Sequence, residues 1–366
     1  GGTSVADVPQ IKKIALKIKE EVELGNKVIV VVSAMSGVTN NLIDLVKHTS
    51  DFPPYSEYDN VLSTGEQVTS ALLAIALERL NLRTRSWLGW QIPIVTDNTY
   101  GKSVIEKIET DNISTSLEHN EVAVVSGFQG VSSENKITTL GRGGSDTTAV
   151  AMAAAFSADR CDIYTDVDGV YTTDPRIVKR AKKLDIITYE EMLELASQGA
   201  KVLQARSVAL AMKYEVNLRV LSSFKNLPGT SIIKEGNNME KSEISGIAHS
   251  LNEAKITISG VPDKPGQAAE IFGSLAQFSI NVDMIVQSSS INQEATDITF
   301  TIPETDLLTA EKTIKKIQQK IGFNKFTSDT NVVKISVVGN AMRNQSGMAN
   351  IMFETLARNQ INIHVI

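Results

Sequence analysis

Leu140-Gly141-Arg142-Gly143-Gly144-Ser145-Asp146-Thr147-Thr148 runs directly into Ala149-Val150-Ala151-Met152-Ala153-Ala154-Ala155-Phe156. The second half is an alanine-rich helix former. The first half gathers glycines, an arginine, a carboxylate and hydroxyls at the point where that helix begins. Glycine lets backbone N–H groups approach a ligand closely, and the free N–H groups of a first helical turn favour negative charge. The loop therefore suits an anion. A purely structural alternative is a tight turn in which Ser145 or Asp146 caps the helix.

The same strand–loop–helix rhythm recurs on both sides. Val28–Val32 reads as a buried strand, followed by the polar loop Ser33–Asn40 and a helical pattern over Asn41–His48. Val122–Ser126 is a second apolar strand ending in Gly127-Phe128-Gln129-Gly130, and Ile163–Thr165 a third ending in Asp166-Val167-Asp168-Gly169. Helical patterns cover Pro9–Leu24, with Pro9 suited to a first turn, and Gly65–Leu80. Alternation of this kind predicts an α/β sheet with helices on both faces and ligand loops at the carboxyl ends of the strands.

At 366 residues the chain has room for two or three cored domains. Hydrophobic residues make up 42% and charged residues 21%, a soluble globular balance, and the net charge of −6 argues against a nucleic-acid surface. Any bound anion is then held by local cations and N–H groups. Cys161 is the sole cysteine, which excludes an internal disulfide and fits a reducing compartment. It reads as a small core residue. His48, His119, His249 and His364 lack metal-ligand spacing, so no protein-held metal cage is expected. The longest aliphatic run, Val28–Val32, is strand-sized and far too short to span a bilayer. No secretory leader is visible.

After the polar run Lys234–Asn238 a second region begins near Lys241, and it contains a repeat. Ile256–Gly260 matches Ile335–Gly339. Gly266, Phe272, Leu275, Ala276, Ile280 and Asn281 recur 81 positions later as Gly347, Phe353, Leu356, Ala357, Ile361 and Asn362. The spacing predicts a duplicated small α+β unit whose second copy, ending level with Ile285, falls short by about 40 residues. The chain reads as clipped at both ends.

Four polar loops in the first region therefore follow strand-like segments or open helices: Gly1–Ser4, Ser33–Asn40, Gly141–Thr148 and Thr165–Arg176. Together they suit nucleotide phosphates, although neither a P-loop nor a dinucleotide fingerprint is present. These loops, with Ser63-Thr64-Gly65-Glu66, Gly127-Phe128-Gln129-Gly130 and Gly199-Ala200-Lys201-Val202-Leu203, resemble the aspartate kinases of the amino acid kinase family. The repeat resembles their paired ACT domains, and the likeness runs in order along the whole chain.

The resemblance implies an α/β catalytic domain, a three-layer αβα sandwich over residues 1–236. Two α+β ferredoxin-like ACT domains would follow at 244–330 and 331–366, the second incomplete. It implies phosphoryl transfer from ATP, with Mg2+, to the side-chain carboxylate of L-aspartate, giving 4-phospho-L-aspartate. A carboxylate nucleophile is already ionised at neutral pH, so the task is positioning and cationic stabilisation. By resemblance Arg142 would grip the substrate α-carboxylate and Glu66 its ammonium, with Thr39, Phe128, Gly143, Gly144 and Ser145 lining the same pocket. Asp146, Arg142 and Ser33 would stand nearest the reacting groups. Gly1, Gly2, Ser33, Tyr164, Thr165, Asp166, Tyr171, Asp174, Arg176 and Lys201 would hold the nucleotide. Read singly, Arg142 and Glu66 are solvated surface charges, and Asp166 and Asp168 turn residues. A lysine two places before the Gly-Gly-Thr-Ser loop, which contacts the phosphate in this family, is not within the sequence.

In the repeat, Val261–Ala269 resembles the ACT effector loop. Asp263, Gly266, Gln267, Ala268, Asn281, Asp283 and Gln287, with Asn362 in the second copy, would contact lysine or threonine as feedback effectors. A capped helix without ligand is the structural alternative. Ala349 stands where relatives often carry a hydroxyl, which leaves the effector open. ACT units complete their sheets across subunits, so the resemblance implies a homodimer or higher oligomer. The rival readings are another amino acid kinase, a non-catalytic amino-acid sensor, and a kinase fused to a downstream homoserine dehydrogenase.

Overall fold

The computed structural model describes residues 2–200, 202–234, 244–289, 295–339 and 347–366. It divides into two compact units, one carried by Gly1–Gly246 and one by Ile247–Val337, the second including the helix Met348–Arg358. Gly1 and Lys201, both expected at the nucleotide, lie outside the described residues.

The strand Val122–Ser126 is central to the first unit. It is buried along its length and pairs in parallel with Ile29–Val32 on one side and Thr84–Trp87 on the other. Successive side chains of a strand point to opposite faces. Val122 and Val124 accordingly pack with Ile11 and Ile18 of the helix Val8–Glu23 and with Leu73 and Leu77 of the helix Tyr55–Glu78. Ala123 and Val125 pack with Ile113 of the helix Asp111–Glu118 and Met152 of the helix Gly144–Ala155. Each fully buried Val, Leu or Ile stabilises such a core by roughly 1.5–3 kcal/mol. Helix, sheet and helix make the three layers.

Two further sheets carry the remaining loops of this unit. One runs Cys161–Thr165, Leu218–Ser222, Thr230–Ile233, Ile186–Thr188. The other runs Ile105–Ile108, Ile94–Thr96, Gln129–Ser132, Ile137–Thr139, and its last strand leads into Leu140 and the glycine loop.

Helix starts differ from the sequence reading in instructive ways. Val8–Glu23 begins where expected, capped by Asp7, which accepts from the Gln10 N–H at 2.8 Å. Gly144–Ala155 begins five residues ahead of its alanine run, after Gly143 in the left-handed conformation at φ 68°. Ser145 and Asp146 are thus inside the first turn and cap nothing, which overturns the simple capped-turn alternative. Tyr55–Glu78 begins ten residues ahead of Gly65 and runs straight through it. A Cβ on Gly65 would sit 2.8 Å from the Ala34 Cβ, so this glycine admits a neighbouring loop rather than starting a helix.

The second unit is built on a four-stranded sheet, ordered Ile285–Ser289, Ala295–Pro303, Gly246–Pro262, Lys325–Val338, in which Ala295–Pro303 runs antiparallel to both of its neighbours. Helices Gln267–Ala276 and Leu307–Ile321 cover it, and Ile256, Ile258, Ile271, Leu275, Phe300 and Ile314 form its core. The duplication persists in the backbone. Gly266 and Gly347 both precede their helices in the left-handed region, at φ 96° and 111°, and Ser279 and Gln360 both follow them there, at 54° and 57°. Ile271 and Leu275 are buried in the first copy, whereas the helix Met348–Arg358 buries none of its residues. Among the described residues no helix is long and apolar enough to cross a membrane.

Candidate active site

Glu66 directly follows Gly65 in the helix Tyr55–Glu78 and is 3% exposed. Its Oε1 accepts the Ala34 N–H at 2.9 Å, while Oε2 is buried with no hydrogen-bond partner among the described residues. Burial pushes the carboxyl up to about 7 against the opposing pull of the backbone N–H groups of Ala34 and of Glu66 itself. A half-satisfied buried carboxylate costs stability unless a cation completes it. The Ser33–Ala34 loop is held against this helix, and Gly2 lies against it in turn, since a Cβ there would stand 3.0 Å from the Ala34 carbonyl.

The glycine loop has the opposite electrostatic character. Arg142 is exposed, with no hydrogen bond or ion pair among the described residues. Gly141 and Gly143 flank it at φ 76° and 68°, a conformation in which a side chain is strained. Phe128, itself left-handed at φ 67°, lays its ring on the loop, and a Cβ on Gly144 would come within 2.7 Å of it. Its peptide is pinned from two directions: its N–H donates to Thr148 Oγ1 at 3.1 Å, and its carbonyl accepts the Leu140 N–H at 2.9 Å. Gly127 lies beneath Ser145, with a built Cβ 3.0 Å from the Ser145 Cβ. Phe128, Gly143, Gly144 and Ser145 therefore form one contiguous wall. Thr39 is half-buried in the first turn of the helix Val38–Thr49, after left-handed Gly37.

A cleft of about 690 Å3 runs between the strands Ile29–Val32 and Cys161–Thr165 and gathers Ser4, Ser33, Ser145, Asp146 and Tyr164 into its lining. Ser4 Oγ donates to the Tyr164 carbonyl at 3.1 Å, and Ser223 Oγ donates to Ser4 Oγ at 2.5 Å, tying the N-terminal loop to the strand Cys161–Thr165 and to the exit of Leu218–Ser222. Burial raises the Asp146 carboxyl above the usual range, and it has no hydrogen-bond partner among the described residues. Lys17 Nζ lies 5.2 Å from the Tyr164 ring centre, a cation the sequence reading did not single out.

The segment after Thr165 is organised by internal pairs. Thr165 Oγ1 donates to Asp166, and Tyr171 OH donates to Asp168 at 2.9 Å. Asp168 also meets Lys225 Nζ at 3.2 Å, and the two contacts hold its carboxyl below the usual range. Arg176 is exposed and pairs with Asp174 at 2.8 Å. Asp168, Lys17 and Lys225 join the expected residues here. The last two are isolated lysines without a motif, so only the fold brings them in.

In the second unit a cavity of about 330 Å3 is lined by Val261–Ala268, Gln287, Thr296 and Ile298. It brings Asp263, Gly266, Gln267, Ala268 and Gln287 together, and Gln267 Oε1 is buried there without a partner among the described residues. Asn281 and Asp283 stand outside this lining, both exposed, with Asp283 paired to Lys334. Asn362 is exposed. Among the described residues no cluster of three or more His, Cys, Asp or Glu forms a metal cage.

The amino acid kinase family model matches residues 1–222, and an ACT domain model matches 256–318 and 335–366. The aspartate kinase of Pseudomonas putida is 51% identical over 367 residues, covering 100% of this chain and 89% of that protein. The chain belongs to the aspartate kinases of the amino acid kinase family. Its enzymatic class follows from that membership. Among solved structures, the aspartate kinase of Synechocystis is 39% identical with a TM-score of 0.59, covering 98% of this chain and 62% of that one. E. coli aspartokinase III in complex with aspartate and ADP shares the fold, with a TM-score of 0.84 at 24% identity over 100% of this chain and 92% of that one. The same E. coli enzyme in complex with lysine and aspartate gives 0.76 at 24% identity over 100% and 91%.

Proposed function

We propose that this aspartate kinase transfers the γ-phosphoryl of MgATP to the side-chain carboxylate of L-aspartate, giving 4-phospho-L-aspartate. The observation that carries the reading is Glu66, a buried carboxylate with one oxygen unpartnered among the described residues, opposite in sign to Arg142, which is unpaired among them. An α-amino acid has one group for each: its ammonium completes Glu66, and its α-carboxylate takes the Arg142 fork. Thr39, Phe128, Gly143, Gly144 and Ser145 shape the space for the side chain that reacts. Serine and tyrosine positions of the long cleft, with Gly2, Thr165, Asp166, Tyr171, Asp174 and Arg176, serve the nucleotide, as Gly1 and Lys201 would.

Magnesium binds through one or two carboxylates together with substrate phosphates and its own waters. Asp146, half-buried and lacking a hydrogen-bond partner among the described residues, fits such a role, and the ion would supply charge neutralisation for the transferring group. Asp146, Arg142 and Ser33 are the residues assigned to the reacting end.

The cavity at Val261–Ala268 is the feedback site in this reading, with lysine, threonine or both as ligand. The unpartnered Gln267 amide oxygen supports it, since an effector ammonium would satisfy that acceptor. Residues 1–236 form the catalytic domain, 244–330 the first ACT domain and 331–366 the second, with self-association through the ACT units. The reaction opens synthesis of lysine, threonine and methionine in the cytoplasm. The test is a hydroxylamine-trapped acyl-phosphate assay on the full-length enzyme with aspartate, glutamate and acetylglutamate, with and without lysine and threonine. Product from aspartate alone is expected. Product from another acceptor, or no turnover, would reject the reading.

A further inference from the structure

Asp59 is an unusual residue to find where it is. It is 0% exposed, on the same helix as Glu66, and its carboxylate is spent entirely on backbone and side chain from other elements. Oδ2 accepts the Gly101 N–H at 2.9 Å and the Thr139 N–H at 2.8 Å, and Oδ1 accepts Thr139 Oγ1 at 2.8 Å. An acceptor-only group is matched here by three donors. An asparagine would turn an NH2 towards one of them.

Arg206 completes the arrangement from the opposite side. Nη1 donates to the Leu140 carbonyl at 2.8 Å and Nη2 to the Ser103 carbonyl at 2.7 Å, while the Ser103 N–H donates to the Thr139 carbonyl at 2.9 Å. The end of the strand Ile137–Thr139 is thus held through its N–H by an anion and through the following carbonyl by a cation. Arg142 lies two residues further on. Gln204, two residues before Arg206, closes on the same loop: a Cβ on Gly143 would fall 2.0 Å from its Cγ.

Asp59 and Glu66 are seven residues apart on one helix, so they share a face and are separated along the axis by about 10 Å. We propose that Asp59 and Arg206 are positioning residues of the acceptor site: they fasten the base of the Arg142 loop to the helix that carries Glu66, so that one rigid helix sets the spacing between the two charges. Neither residue touches substrate. The inference rests on the reading of Glu66 and Arg142 as the two ends of the aspartate grip, and it adds what holds those ends apart.

A merely structural role would weaken both substrates alike. Positioning would act on aspartate alone and through Arg142. Asp59→Asn and Arg206→Lys are therefore compared with the parent full-length enzyme for KM of aspartate, KM of ATP and kcat, alone and in an Arg142→Lys background. Each single variant is expected to raise KM for aspartate about tenfold, with KM for ATP changed less than about twofold, because misplacement of one binding group is felt only by the ligand it meets. In the Arg142→Lys background the further effect should shrink to less than about twofold, the signature of coupled residues. Equal losses on both substrates, or full additivity, would overturn the proposal. If Arg142→Lys itself leaves KM for aspartate unchanged, the grip reading falls, and this inference with it. Should Asp59→Asn not fold, Arg206→Lys, which keeps charge and a donor, reads the same quantities.

Discussion

The Ala34 N–H donates to Glu66 Oε1 at 2.9 Å and leaves Glu66 Oε2 buried and, among the described residues, unpartnered. One carboxylate oxygen thus holds the loop after the strand Ile29–Val32, and the other remains available for a cation. This division of labour makes Glu66 costly to keep and sensitive to pH.

The cost is measurable. The unfolded carboxyl releases its proton near 4.5, whereas the folded one holds it to about 7. The contribution of Glu66 to stability is therefore most favourable below the unfolded value, declines as pH rises between the two, and carries the full penalty above about 7. That penalty is on the order of 3 kcal/mol. Glu66→Gln should unfold at a higher temperature than the parent at pH 8, with the difference vanishing near pH 4, as read by thermal melts.

The same substitution should cost activity. Removing one member of a buried charge pair typically costs 2–5 kcal/mol, so kcat/KM for aspartate should fall by about a hundredfold or more, while nucleotide affinity measured by calorimetry changes little. In the parent enzyme, kcat/KM for aspartate should drop as pH falls through about 7, where free Glu66 takes up its proton. Glu66→Gln should lose that inflection. A profile unchanged by the substitution would assign the titration elsewhere.

Gly143 is closed to side chains twice over. Its φ of 68° and the 2.0 Å approach of Gln204 Cγ to a built Cβ predict that Gly143→Ala destabilises the enzyme and displaces Arg142. Backbone strain alone amounts to about 1–3 kcal/mol. Gly25→Ala is the control, since Gly25 has φ 89° but nothing within 4 Å of its Cβ. Denaturant midpoints should rank Gly143→Ala well below Gly25→Ala, and only the former should raise KM for aspartate.

Cys161 is buried, and burial pushes its thiol up to about 12. A thiol so far from its reactive thiolate form should resist an aromatic disulfide reagent at pH 8 until the protein is unfolded. Rapid labelling of the native enzyme would contradict the burial.

In the second unit, Gln267→Leu replaces the unpartnered amide oxygen with an apolar group. If that oxygen meets an effector, the concentration of lysine or threonine giving half-maximal effect should rise about tenfold, the worth of a single hydrogen bond to a charged group. Steady-state titration with each amino acid measures it, and an unmoved midpoint argues against the site.

Strand Val122–Ser126 and the loops at strand ends are legible in the sequence because buried parallel strands are continuous aliphatic runs and their exits are rich in glycine and hydroxyls. The glycine that breaks the pattern of Tyr55–Glu78 misleads for a physical reason: Gly65 is there for the contact with Ala34, a requirement arising 31 residues away. Asp59 is invisible for the same reason. It stands among polar residues in a helical stretch and looks like a solvated charge, yet its partners are 42 and 80 residues distant. Short strands such as Ile94–Thr96 and Ile137–Thr139 give too little periodicity to declare themselves. The repeat, by contrast, is legible down to its left-handed turns, because both copies spend a glycine on the same backbone need.

Phe128 sets a practical limit on redesign. Its ring type is dictated by the contact with Gly144 and its torsion by the bonds to Thr148 and Leu140. A smaller residue would open room for a longer diacid but remove the ring that braces the loop, and a glycine would relax the torsion while giving up both. On the proposed reading of this wall as part of the acceptor site, engineering a new acceptor length must therefore begin by re-anchoring this peptide, before any cavity is carved.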